Sequence, residues 1–548
     1  MGTVSRSKRR AQPAKPVRAT KPEAPSPAET SCEPDRKTLV AVFLVTVALR
    51  WVYFATADGP SFADPLIDGD YYDYLGSRLA SGEGFDPGPF WQPPLYPVVL
   101  GLLYSVLGHD LVWPRLMQSM LDGVTAVLAV RIAARVVGER RWAIGAGVIV
   151  ALHGTLVFYS GEILPTSLAV TASTLAVWLA LARPPTLRRA IGCGVAAGIG
   201  ALAVATTLVV VGPLAWFVGR ENRQRGWAAL GACLALVAVA TVANRARSGE
   251  WVLISANGGI NLYIGNAARS DELMAVRPGA RWERMVNEPA DTGISSPSGQ
   301  DGYFVRKAVR WCAGHPGDCV AGLAWKARLL LRSREIPRNE SVDVVREQSP
   351  VLSVLLARFG TTALPHVLIL PLAAAGLVAA FRRRERSASL VAWATISLAS
   401  MPVLFFVTGR YRTALAAMLA VLVVLGAHSL WTSRKKAWRE ALAAASVLGF
   451  AIWPAPLPVD DVNYEAEMHY AIGGRRARLG DEAGAAASWQ RAVHLRPDYL
   501  EAHFNLGLAH VRAERWHKAA ESFRAALAID PANHAAREML EACETQTP

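Results

Sequence analysis

Runs of about 20 apolar residues, separated by short basic clusters, recur between positions 38 and 453 of this chain, and no other feature narrows its fold so far. Such runs bury their backbone polar groups in lipid only as helices, so the reading is an all-α, polytopic membrane protein. Composition agrees: of 548 residues 52% are hydrophobic and only 19% are charged. The formal charge of +14 does not indicate nucleic acid, because the Lys and Arg residues lie between apolar runs and so mark topology. Six Cys are scattered without a CxxC pair or a Cys/His cluster, which argues against zinc, iron–sulfur and thioredoxin-type chemistry. Any metal would be held by oxygen ligands.

Residues 1–37 are rich in Lys, Arg, Pro and Ala and are read as a disordered basic tail in the cytoplasm, ahead of a first span at 38–57. Further spans are expected at 112–137, 142–159, 164–182, 227–243, 365–381, 388–407, 413–430 and 441–453. The stretch 190–219 is too long for one span and is read as two, broken near Thr206 and Thr207. The total is about eleven transmembrane helices, and it places the loops around Arg140, Arg188, Arg223, Arg383 and Lys435 together on the cytoplasmic side. A crossing at 93–107 would break that register, so this segment is expected to lie on the outer membrane surface. Two long segments, 58–110 and 244–364, then face outward and are where function is to be sought.

From about Asn463 the chain becomes Ala-rich and charged, with an internal period. Gly473 and Gly507, Ala485 and Ala519, Trp489 and Phe523, and Pro497 and Pro531 are each 34 positions apart. This pattern resembles the tetratricopeptide repeat and implies a C-terminal α-solenoid over 463–548, with two repeats and a capping helix at 534–543. The Pro-rich 454–458 reads as a linker from the membrane domain, 38–455.

After the first span come Asp68-Gly-Asp-Tyr-Tyr-Asp73, Leu79-Ala-Ser-Gly-Glu-Gly-Phe85 and Gln92-Pro-Pro-Leu-Tyr-Pro97. A carboxylate at a membrane boundary suits general-base work, since partial desolvation makes it more basic. Asp68, Asp70 and Asp73 are equally readable as a solvated loop or as helix-capping residues. The order of these motifs resembles the first outer loop of GT-C glycosyltransferases, of the glycosyltransferase family 39 superfamily that includes protein O-mannosyltransferases and aminoarabinose transferases. The resemblance extends more weakly over 38–430. It implies Asp68 as the catalytic acid, Tyr72 beside it, and a sugar donor carried on polyprenyl phosphate. The family's Asp-Glu pair is here Asp68-Gly69, which keeps Asp70 as a second catalytic candidate.

The same resemblance points to Glu162, which would orient an acceptor or bind a cation, and to Gly409-Arg-Tyr-Arg412, where Arg410 and Arg412 would grip the donor phosphate bidentately. A helix-end carboxylate in water and snorkelling arginines are the plain alternatives. Asn257-Gly-Gly-Ile-Asn-Leu-Tyr-Ile-Gly-Asn266 and Glu335-Ile-Pro-Arg-Asn339 read either as a folded loop or as a cleft wall. Cys312 and Cys319, separated by Gly and Pro, fit a disulfide in an oxidising compartment or two packed thiols, whereas Cys32, Cys193 and Cys233 should stay reduced.

Together these readings describe a bacterial inner-membrane glycosyltransferase with periplasmic repeats. It would move a sugar from a polyprenyl-phosphate-linked donor to a hydroxyl of a protein or of an envelope glycan or lipid. No cofactor is called for, and a divalent cation is an open option. The repeats imply a protein partner, the spans membrane lipids. A non-enzymatic membrane scaffold and a lipid or glycan transporter are the competing classes; few intramembrane charges count against transport.

Overall fold

The computed structural model describes residues 33–277, 279–433 and 436–546. The expected disordered tail therefore falls largely outside the described residues, as do Cys32, Arg434 and Lys435. The first helix, Arg36–Thr56, starts within the proposed tail, capped by Asp35, whose carboxylate accepts from the Thr38 amide. Helices cover every segment expected to cross the membrane. Five are long and apolar enough to do so by length and composition, or six if the bent pair Arg140–Ala151 and Gly154–Gly161 counts as one span. Thr166–Leu181 and Ala205–Gly219 are shorter apolar helices. The only strands among the described residues, Arg358–Phe359 and Thr362–Ala363, form a small hairpin.

Ion pairs sort the loops onto two faces. On the face read as cytoplasmic, Arg140 meets Asp35 at 3.0 Å, His428 meets Glu139 at 2.8 Å, and Arg386 meets Glu221 at 2.9 Å. These contacts unite loops that sequence distance keeps apart. On the other face Arg410 meets Asp68 and Arg476 meets Asp64. The 190–219 stretch breaks as expected: a helix ends at Ala203, a 3₁₀ turn runs over Ala205–Val210, and Val211–Gly219 follows. Val204, Ala205 and Thr206 line the same cavity as Asp68, while Glu221 meets Arg386 on the basic face.

The helix Leu95–Leu107 buries Tyr96, Leu100 and Tyr104 and turns Leu102 (64% exposed) and Val106 (79% exposed) outward. The helix is 13 residues long and carries an apolar stripe on its exposed side. Inside the bundle a charge is fully buried: Arg50 meets Asp122 at 3.0 Å. The 46° bend after Ala151 frees helix carbonyls, and Arg50 donates to those of Ala151 (2.6 Å) and Val150 (3.3 Å). Lipid offers a broken helix no such partner.

The C-terminal helices Tyr464–Arg478, Glu482–Leu495, Leu500–Arg512 and Trp516–Ile529 form two pairs, followed by His534–Gln546. The 34-residue period has a steric cause. A Cβ on Gly473 would lie 2.5 Å from the Trp489 ring, and one on Gly507 would lie 2.6 Å from that of Phe523. Each aromatic thus packs onto the bare backbone of the preceding helix. The 454–458 stretch is docked rather than free, since Arg332 donates to the Ala455 carbonyl at 2.7 Å and Leu457 is buried.

Candidate active site

Asp68 opens the helix Asp68–Ala80, directly after Ile67, whose φ of 47° is a left-handed conformation that a β-branched residue rarely adopts. Arg410, 342 positions away, donates from Nη1 to Asp68 Oδ2 at 2.6 Å. The other carboxylate oxygen has only a long contact, 3.4 Å, from Gln92 Nε2. Asn257 Nδ2 donates to Gln92 Oε1 at 3.1 Å. Three motifs separated in sequence, those of Asp68, Gln92-Pro-Pro and Asn257-Gly-Gly, therefore meet at one carboxylate.

These residues line a cavity of about 1080 Å³. Its lining includes the polar Asp68, Gln92, Asn257, Arg277, Arg338 and Arg410 and the apolar Ala203, Leu208, Val209, Leu253, Met401 and Phe405. Tyr72 also lines the cavity, is 1% exposed, and packs edge-on against Tyr96. Burial works against the charge of Arg410, but Asp68 beside it more than offsets this and keeps the guanidinium firmly protonated.

The other candidates divide. Glu162 is 7% exposed and lines the cavity together with Glu340; burial, and then the Glu340 carboxyl, push Glu162 well above the ordinary carboxylate range, while burial raises Glu340 against the hydrogen bonds it makes with Ser61 and Glu162. Asp70 does not face the cavity. Arg475 donates to its Oδ1 at 2.6 Å, and Arg478 to its Oδ2. Arg412 points inward, 2% exposed, and donates to the carbonyls of Arg334 (2.8 Å) and Arg332 (2.7 Å), which leaves its fork engaged by backbone. No group of three or more His, Cys, Asp or Glu side chains among the described residues could hold a metal ion.

Sequence reasoning missed Arg277 and Arg338. Both line the cavity, and neither has a carboxylate at salt-bridge distance among the described residues. Arg277 donates to the Arg338 carbonyl at 2.5 Å and to the Tyr464 hydroxyl; Arg338 donates to the Met274 carbonyl at 2.8 Å. Burial holds Arg338 down to about 10, with Arg277 adding to the effect. An unpaired cationic pair in a cavity is set up to receive an anion. The Glu335-Ile-Pro-Arg-Asn339 motif held the clue. Glu335 faces away, meeting His366 at 2.8 Å, and Arg338 faces in. In the other loop Gly265 is there for close approach, since a Cβ would lie 1.6 Å from the Phe405 carbonyl. Cys312 and Cys319 are bridged, with Cα atoms 5.2 Å apart, and Cys193 and Cys233 are free and buried.

Several solved structures are similar to the chain at low identity. One is the archaeal oligosaccharyltransferase AglB from Archaeoglobus fulgidus, in complex with an inhibitory peptide and a dolichol-phosphate. It shows 14% identity and a TM-score of 0.43 over 93% of this chain and 59% of that one. The chain thus spans about 59% of the length of that relative. ArnT from Cupriavidus metallidurans, bound to undecaprenyl phosphate, gives 16% identity and a TM-score of 0.32 over 72% of this chain and 77% of that one. The S. cerevisiae protein O-mannosyltransferase Pmt1-Pmt2 complex, bound to the sugar donor, gives 16% and 0.31 over 40% and 35%. No curated protein matches the sequence. The tetratricopeptide repeat family matches residues 470–534, and the C-terminal helices are repeats of that kind.

Proposed function

We propose that the protein is a GT-C-type membrane glycosyltransferase that moves a sugar from a polyprenyl-phosphate-linked donor to an acceptor hydroxyl on the outer face of a bacterial inner membrane. One observation carries this reading: Asp68, paired to Arg410, lines one cavity with Arg277 and Arg338 and with apolar side chains such as Leu208, Val209 and Phe405. An apolar groove takes the prenyl chain, and the arginines take the phosphate. The acceptor hydroxyl approaches Asp68.

In the step, Asp68 Oδ1, the oxygen not held by Arg410, takes the acceptor proton as the hydroxyl oxygen bonds to the anomeric carbon. The bond from that carbon to the phosphate oxygen breaks, and polyprenyl phosphate leaves with the electron pair. Arg277 and Arg338 meet the charge gathering on that phosphate, while Arg410 fixes the carboxylate. Asp70 supports the helix that carries Asp68 rather than acting as a second base.

The test is transfer by the purified protein from polyprenyl-phosphate-linked sugars, with envelope glycans of a deletion strain compared with those of its complemented parent. Asp68→Asn should remain in the membrane and lose about 100- to 10,000-fold in transfer. A deletion strain with unaltered glycans, together with a purified protein inert toward every such donor, would favour a scaffold.

A further inference from the structure

We infer that the first repeat helix, Tyr464–Arg478, is a working part of the active site, with Arg475 as a positioning residue for Asp68. This rests on the proposed role of Asp68 and adds to it. At its C-terminal end the helix presents three arginines to three aspartates of the outer loop. Arg475, its side chain 8% exposed, donates to Asp70 Oδ1 at 2.6 Å and to Asp73 Oδ2 at 2.9 Å. Arg476 meets Asp64 at 2.9 Å, and Arg478 meets Asp70. Asp70 and Asp73 belong to the helix that Asp68 opens, so Arg475 grips the element that aims the carboxylate.

A second observation is independent of charge. Met468 and Ile472 of the repeat helix are buried together with Leu66 and packed by Ile67, the two residues before Asp68. Ile67 holds its left-handed φ of 47° under this cover. A conformation so unfavourable for a β-branched residue persists only where its surroundings over-determine it. At the other end of the same helix the Tyr464 hydroxyl accepts from Arg277 and donates to the Pro337 carbonyl at 3.2 Å, next to Arg338. One helix, about 21 Å long at 1.5 Å per residue, thus touches both the carboxylate wall and the arginine wall of the cavity. It sets the separation between them, and with it the reach from acceptor to donor phosphate.

The test compares full-length wild type, Arg475→Ala, Arg475→Lys and Asp68→Asn in the same transfer assay, each with its melting temperature. Misaligning a reacting group by about 1 Å costs up to about 100-fold, so Arg475→Ala should lose about 10- to 100-fold in kcat with an unchanged donor KM. Arg475→Lys, which keeps the charge but loses the two-carboxylate fork, should recover part of that loss at the wild-type melting temperature. If Arg475→Ala fails to fold, a lowered kcat in folded Arg475→Lys supports the positioning role in its place. Wild-type kcat in either folded variant would overturn the inference, as would a loss matched by a fall in melting temperature and left unrestored by Lys. An active Asp68→Asn would instead bring down the functional reading itself; an inactive one beside fully active Arg475 variants removes only the positioning role.

Discussion

Arg410 and Arg412 are two residues apart in one motif, and the structure gives them opposite fates. Replacing Arg412 by Met keeps most of the side-chain volume but removes two charge-assisted hydrogen bonds, to the Arg332 and Arg334 carbonyls. At about 1.5–3 kcal/mol each the loss would be about 3–6 kcal/mol. The change also exposes Glu335 to its own burial. That burial would raise the carboxyl, which Arg412 and then His366 bring down to about 2. Glu335 keeps His366 at 2.8 Å and Thr155 at 3.1 Å, so only part of its desolvation is uncovered. Met in turn fills the gap, and the net expectation is about 3–5 kcal/mol, the range for breaking a buried charged contact. Thermal unfolding in detergent should show a clearly lowered midpoint, while donor KM at a permissive temperature stays at the wild-type value. Arg410→Met should do the reverse, with little change in midpoint and a severe loss of transfer. An Arg412→Met protein that melts with wild type but needs far more donor would refute this reasoning and return Arg412 to the phosphate.

Two other measurements bear on the outer loop and one on topology. His109 meets Asp73 at 2.8 Å, and that hydrogen bond raises the imidazole above its ordinary 6.5 against partial burial. The contact therefore stabilises fully below 6.5 and is lost as pH climbs through the raised value; midpoints should fall over that interval in wild type and flatten in His109→Gln, and equal slopes would contradict it. Non-reducing peptide mapping of protein purified from membranes should recover Cys312 joined to Cys319, and an alkylatable Cys312 would count against an outward loop. An alkaline phosphatase fused to the C-terminus should be active, because the repeats share a face with Asp68; activity only from a cytoplasmic reporter would invert the orientation.

Much of the scaffold was legible because lipid enforces regular patterns. Basic clusters marked one face and the 34-residue spacing of Gly473 and Gly507 marked the repeats. Asp68 and Arg410 were legible as motif residues, although nothing local announced that they touch. Long-range pairing leaves no period in the sequence. Asp70 therefore looked catalytic while its partner stood 405 positions away, and Arg412 looked like a phosphate ligand while its fork was turned onto backbone. Arg277 and Arg338 were passed over for the same reason, since an arginine among many in a basic chain gains meaning only from the carboxylate it lacks. One signal was available: Arg475, Arg476 and Arg478 form a cationic cluster on a repeat helix, and Asp64, Asp70 and Asp73 form its acidic counterpart in the loop after the first span.

That pairing has a consequence for biosynthesis. The helix Tyr464–Arg478 follows the whole of the helical bundle in the chain, so in the proposed orientation a ribosome-bound chain inserts its bundle before Arg475 is exported. Until then Asp64 and Asp70 lack the arginines that neutralise them, Asp73 has only His109 and Tyr104, and the cover over Ile67 is missing. Assembly thus has a built-in order: a half-made chain lacks the repeat helix that closes the contacts around the Asp68 helix, and in the orientation and function proposed here transfer would begin only after the repeats have docked.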